Sequence, residues 1–123
     1  MTLRFALTRS SSDEIVVALG GAFDLASAPP AERKLNEIQD GEASIVVIDL
    51  RGLEFLDSTG LRVILGADSR ARAAGKRLFV VRGSEPVQRV FRLTLLERRL
   101  DFIDDPSEID DYAQIRDQGG NGA

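Results

Sequence analysis

Asp57, Ser58, Thr59 and Gly60 place a carboxylate, two hydroxyls and a glycine in succession, directly ahead of a helical pattern. Two chemistries suit that order. Asp, Ser and Thr are good N-cap residues and glycine permits a tight turn, so the segment reads as a helix start. A hydroxyl at such a junction is also exposed enough to accept a phosphoryl group, and a helix N-terminus tolerates the resulting dianion. The chain supplies no base of its own to activate that hydroxyl. Its 123 residues include no His and no Cys, which removes the commonest general base, thiolate nucleophiles, Cys-ligated zinc, disulfides and every Ser/His or Cys/His catalytic pair. Much of hydrolytic enzymology is closed to such a chain, and no catalytic residue, metal site or cofactor is expected.

Other candidate chemistries fail on spacing. Gly75-Lys76 is not a phosphate-binding loop, because Arg70 stands where the first glycine is required and Arg77 where the Ser or Thr belongs. Gly20-Gly21 is not part of a G-x-G-x-x-G series, and these glycines read as turns. Asp49, at the end of an apolar run, is similar to the phosphoacceptor of a receiver domain. That family needs an acidic pair after its first strand and a Pro soon after the Asp. Here the first two strands run into Thr8-Arg9-Ser10 and Gly20-Gly21, and Arg51-Gly52-Leu53 follows Asp49.

The elements that must position these residues follow from periodicity. Leu3, Phe5 and Leu7 alternate with Arg4, Ala6 and Thr8, the period of a half-buried strand. A turn at Ser10 to Asp13 joins it to Ile15 to Leu19 as a hairpin. Asp24 to Pro30 is a helix entry that Ser27 can cap, with Pro29 and Pro30 in the first turn and Ala31, Leu35 and Ile38 on one face. Asp40-Gly41 ends that helix. Ile45 to Ile48 is a continuous β-branched run, expected of a central strand. A loop from Arg51 to Leu56 then leads to the helix carrying Leu61, Ile64, Leu65 and Ala71, which stops at Gly75. Leu78 to Val81 reads as a strand, Val87, Val90 and Phe91 as a buried helix face, Phe102-Ile103 as an edge strand and Ser107 to Ile115 as a short final helix. The residues from Gln118 to Ala123 read as a disordered tail.

Charge narrows the partners. Sixteen basic against twenty acidic residues leave a net charge of −4, which argues against nucleic acid and anionic membrane as partners. No signal-peptide pattern opens the chain and no apolar run approaches membrane-spanning length, so direct membrane insertion is not expected and the cytoplasm is the expected location. The stretch from Arg62 to Arg99 is basic and that from Asp101 to Asp117 acidic. Solvated helix faces account for this, with a partner-facing basic surface as the alternative.

The run Ile48-Asp49-Leu50-Arg51-Gly52-Leu53-Glu54-Phe55-Leu56-Asp57-Ser58-Thr59-Gly60-Leu61 resembles the signature of STAS domains of the anti-sigma factor antagonist type, in which a strand leads into D-S-[ST]-G-L. Upstream, Gly21-Ala22-Phe23-Asp24-Leu25-Ala26-Ser27-Ala28 is similar to the family's G-E-x-D-x-x-[ST]-A segment. Downstream, Gly66, Ala71 to Gly75 and Phe91-Arg92-Leu93-Thr94 also match, so roughly the first 110 residues fit in order. Three positions depart from the pattern. Ala22 replaces an acidic residue and Arg62 a small one, both bearing on partner choice. Leu95 stands at a position commonly Gly, which predicts altered geometry at a helix end.

The resemblance implies an α/β fold, a single STAS domain over residues 1–117 with a mixed sheet of four or five strands and helices mainly on one face. It implies that Ser58 is the phosphoacceptor and that Asp24, Asp57, Thr59, Gly60 and Arg62 contact the partner, Asp24 being equally readable as a loop or cap residue. The implied partner is an anti-sigma factor with serine kinase activity, opposed by a serine phosphatase, and ATP and magnesium belong to that kinase. A STAS subunit of a transporter or membrane-associated complex and a receiver-like phosphoprotein are the alternatives.

Overall fold

The computed structural model describes residues 2–109. Five strands form one sheet in the order of the chain: β1 (Leu3–Ser11), β2 (Glu14–Phe23), β3 (Ile45–Leu56), β4 (Arg77–Val81) and β5 (Asp101–Ile103). β1 and β2 are an antiparallel hairpin; the other neighbours are parallel. The three crossovers carry α1 (Ala28–Gln39), α2 (Ser58–Ala73) and α3 (Glu85–Leu93). Each crossover steps one strand in the same direction, and right-handed crossovers of that kind place every helix on the same face. The core follows: Leu35, Ile64 and Phe91, one from each helix, pack with Leu19, Phe23, Ile48 and Val80 of the sheet. A smaller cluster of Val47, Phe79 and Val81 on the other face is covered by Ile109. The expected single α/β domain with a mixed sheet and one helical layer is what forms.

Several boundaries differ from the sequence reading. Gly20 and Gly21 are not a turn. They lie inside β2, where Gly21 takes φ 87° and its backbone passes so close to β1 that a Cβ would sit 1.8 Å from the Thr2 carbonyl oxygen. Arg51 to Leu56 is not a loop either. β3 continues to Leu56, and its pairing with β2 slips by one residue twice, between the Ala18 and Gly20 partners and between the Gly21 and Ala22 partners. Each slip is a bulge that gives β3 one residue more than its neighbour. The buried residues of this half-strand therefore fall three apart, at Leu50, Leu53 and Leu56. α2 begins at Ser58, with only Asp57 between strand and helix.

α2 and α3 end in the same way. Lys76 N–H donates to Ala71 C=O and Gly75 N–H to Arg72 C=O after α2; Leu96 N–H donates to Phe91 C=O and Leu95 N–H to Arg92 C=O after α3. This paired pattern requires a left-handed residue just past the helix. Gly75 supplies it at φ 71°, and Leu95 at φ 61°. The geometry expected to change at Leu95 is thus retained, and the leucine, 86% exposed, carries the left-handed strain of about 1 kcal/mol.

The opposite charges of the middle and the end meet in part within the molecule. Arg77 and Arg72 pair with Asp101 and Arg82 with Asp104, while Arg51, from before the basic stretch, pairs with Asp105. The helix expected over Ser107 to Ile115 starts with a turn at residues 108–109; the rest of it, and the tail from Gln118 to Ala123, lie outside the described residues. No helix among the described residues is long and apolar enough to cross a membrane.

Candidate functional site

The two bulges bring the end of β3 beside the end of β2, and both strands feed one surface. Asp57 stands at the junction. Its N–H donates to the Phe23 carbonyl at 3.1 Å, which joins the last residue of β2 to the start of α2. Its side chain is the helix cap: Oδ1 accepts from the Thr59 N–H at 2.9 Å and the Gly60 N–H at 3.0 Å. The other oxygen, Oδ2, accepts from the Leu25 N–H at 3.1 Å. One half-buried carboxylate therefore satisfies two free amides of the first turn and fastens the β2–α1 loop to it.

That loop is folded by Asp24. Its Oδ1 accepts from the Ala26 and Ser27 amides at 3.1 and 3.0 Å, and its own N–H donates to the Ser27 hydroxyl at 2.9 Å. Ser27 occupies the N-cap position of α1 without bonding that helix through its side chain, and its hydroxyl instead donates to Ala22 C=O. The expected Ser27 cap is thus replaced by a turn built on Asp24. The Ser27 amide, helped by the Ser27 hydroxyl and the Ala26 amide, holds the Asp24 carboxyl below its ordinary range. The loop keeps its negative charge at neutral pH, and this contribution to stability fades only as pH falls through the depressed value.

Ser58 is the first residue of α2, exposed, and its hydroxyl has no hydrogen-bond partner among the described residues. Thr59 is half-buried. Gly60 is buried: a Cβ there would lie 2.6 Å from the Phe23 carbonyl oxygen and 2.9 Å from both Leu56 Cδ1 and Phe23 Cδ1. Its part in the site is to let α2 press against the ends of β2 and β3. Arg62, one turn beyond Ser58, is exposed. Ser58, Asp57 and Thr59 thus share one surface with the Asp24 loop, joined through the Asp57 to Leu25 contact.

Leu25 was not among the residues singled out by sequence. It is 71% exposed, and Asp57 holds its backbone beside the start of α2. The available signal was a lone large apolar residue in a polar helix entry, out of phase with Ala31, Leu35 and Ile38. Asp49 is placed differently from the receiver reading. It lies within β3, not at its end, is 8% exposed, and is clamped by the Arg51 guanidinium at 2.8 to 3.2 Å. Arg51 also reaches Asp105. No group of three or more metal-ligating side chains occurs among the described residues.

Asp57→Ala removes both the cap and the tether to the loop. It is expected to cost about 1 to 2 kcal/mol and lower the melting temperature by roughly 5 °C or more. Thermal denaturation followed by circular dichroism checks this, and an unchanged midpoint would mean that Asp57 is not a structural cap.

The STAS domain family model matches residues 6–109. An anti-sigma-B factor antagonist of Listeria monocytogenes is 29% identical over 94 residues, covering 76% of this chain and 82% of that protein. Among solved structures, the anti-sigma factor antagonist SpoIIAA in its unphosphorylated form is similar at a TM-score of 0.74, with 22% identity, 90% of this chain and 96% of that one covered. The phosphorylated form of the Bacillus cell fate determinant SpoIIAA is similar at 0.69, with 21% identity and 89% and 99% coverage.

Proposed function

Because this chain belongs to the STAS domain family, we propose that it acts as an anti-sigma factor antagonist: unphosphorylated, it binds an anti-sigma factor with serine kinase activity in the cytoplasm and so releases a sigma factor. The observation that carries the reading is Ser58, an exposed hydroxyl at the start of α2 with no hydrogen-bond partner among the described residues. The relatives whose names describe anti-sigma factor antagonists support the class of partner. In this reading the kinase partner supplies ATP and magnesium. The Ser58 oxygen forms a bond to the γ-phosphorus, the bond to the β,γ-bridging oxygen breaks, ADP leaves, and the hydroxyl proton passes to a base of the kinase. A serine phosphatase hydrolyses the ester and restores the binding form.

The surface that meets the partner includes Ser58, Thr59, Arg62 and the loop of Asp24. Asp57 and Gly60 act from beneath it by fixing its shape. Incubation with the kinase partner and ATP, followed by mapping of the modified peptide, tests the reading. An acid-stable phosphoserine at Ser58 is expected; phosphate on Thr59 alone, or an acyl phosphate on Asp49, would overturn it.

A further inference from the structure

Arg62 follows Ser58 by four residues on α2 and makes no hydrogen bond or ion pair among the described residues. The other arginines of this helix are engaged, Arg70 with Gln39 and Arg72 with Asp68. Residues four apart on a helix are neighbours, and an acid one turn N-terminal to a base is the favoured order. Helical side chains also lean toward the N-terminus, so the Arg62 stem leads back over the turn that carries Ser58.

The charges around Ser58 make this cation decisive. Asp57 is adjacent, and both its oxygens are occupied by backbone amides. No Lys or Arg lies between Arg51 and Arg62 in the sequence. Arg51 itself is clamped on Asp49. A phosphoryl group on Ser58 therefore stands next to a fixed negative charge, with one guanidinium a turn away.

We propose that Arg62 is the positioning residue for the phosphoryl group of phosphorylated Ser58, closing over it as an intramolecular counter-charge. This rests on Ser58 being the acceptor. In the unmodified protein Arg62 displays a free guanidinium to the partner. In the modified protein the same side chain turns back to the phosphate, so a single modification both adds a dianion and withdraws a cation from the partner-facing surface. A guanidinium suits this role better than an ammonium because its fork matches two phosphate oxygens.

The test uses the full chain with phosphoserine encoded at position 58 during translation, and follows the second ionisation of the phosphate by phosphorus NMR. Arg62→Gln is expected to raise that pKa by about half a unit, with Arg62→Lys in between. The difference should shrink in 1 M salt. Arg62 is exposed, so neither variant should lose the fold, and a purely structural role for Arg62 would not move the phosphate titration. Coincident values for wild type and Arg62→Gln would overturn the proposal. Encoding the phosphoserine makes the result independent of any kinase. Pairing without kinase modification of Ser58 would refute the acceptor assignment alone; modification of Ser58 with coincident titrations would refute the Arg62 pairing alone.

Discussion

Ser58→Asp is expected to lower affinity for the kinase partner by about 100-fold or more, while Ser58→Ala binds as tightly as the unmodified protein and cannot be switched off. The asymmetry follows from where Ser58 sits. It is exposed and its hydroxyl makes no hydrogen bond among the described residues, so removing it costs the fold at most about 0.5 kcal/mol. A carboxylate there lies at the start of a helix, where the molecule itself tolerates negative charge. The partner does not. An interface shaped around a neutral hydroxyl beside Asp57 must either desolvate the added anion together with any cation drawn back to it or break that pair, and either costs several kcal/mol. Calorimetric titration of wild type and both variants into the same partner is the measurement. All three should keep the same circular dichroism spectrum, and equal affinities would place the switch elsewhere.

Gly60→Val is expected to destabilise the domain by roughly 3 kcal/mol, lowering the melting temperature by about 10 °C or more. A Cβ at this position meets a backbone carbonyl at 2.6 Å, an atom that cannot swing aside as a side-chain end would. Relief requires α2 to move away from Phe23, which strains the Asp57 to Phe23 hydrogen bond and the cap that follows it. The loss should appear in denaturant and thermal unfolding of the isolated protein, with no partner present. Unchanged stability would mean that the first turn of α2 is free to shift. Gly60→Ala should fall between, because the better helix propensity of alanine offsets part of the clash by about 1 kcal/mol.

These two residues show how unevenly the site was legible. The place of Asp57 and Ser58 at a helix start was readable because an Asp-Ser-Thr-Gly run ahead of a helical period is capping chemistry. The layer order was readable because strands and helices alternate after the opening hairpin, each with its own period. The second half of β3 was not. Its buried residues at Leu50, Leu53 and Leu56 have neither a spacing of two nor one of 3.6, because the bulges that create the pattern arise from pairing with β2 and leave no mark in β3 alone. Gly21 was misread for a related reason: positive φ was foreseeable for glycine, but the close approach of Thr2 that demands it is a tertiary contact. Asp24 could be read as cap or contact, and its hydrogen bonds make it the fold of its loop. Leu25 escaped because exposed apolar residues carry no periodic signal.

The double bulge also sets the parity of the path to Ser58. Val46, Ile48 and Leu50 face the helices from even positions, Leu53 from an odd one and Leu56 from an even one again, so the strand inverts its faces twice and ends in its original phase. Each extra residue brings its own inversion, so removing one residue together with the bulge that holds it, between Leu53 and Leu56, would leave those two leucines two apart on the same face, with Leu56 still opposite Phe23. Removing both would leave a regular strand that still ends with Leu56 opposite Phe23, because the extra residues add length to β3 and no advance along β2. Length in this segment is therefore tied to pairing: a residue can leave only together with the bulge that accommodates it, and a change in number elsewhere in β3 would invert every later face and displace the Ser58 hydroxyl.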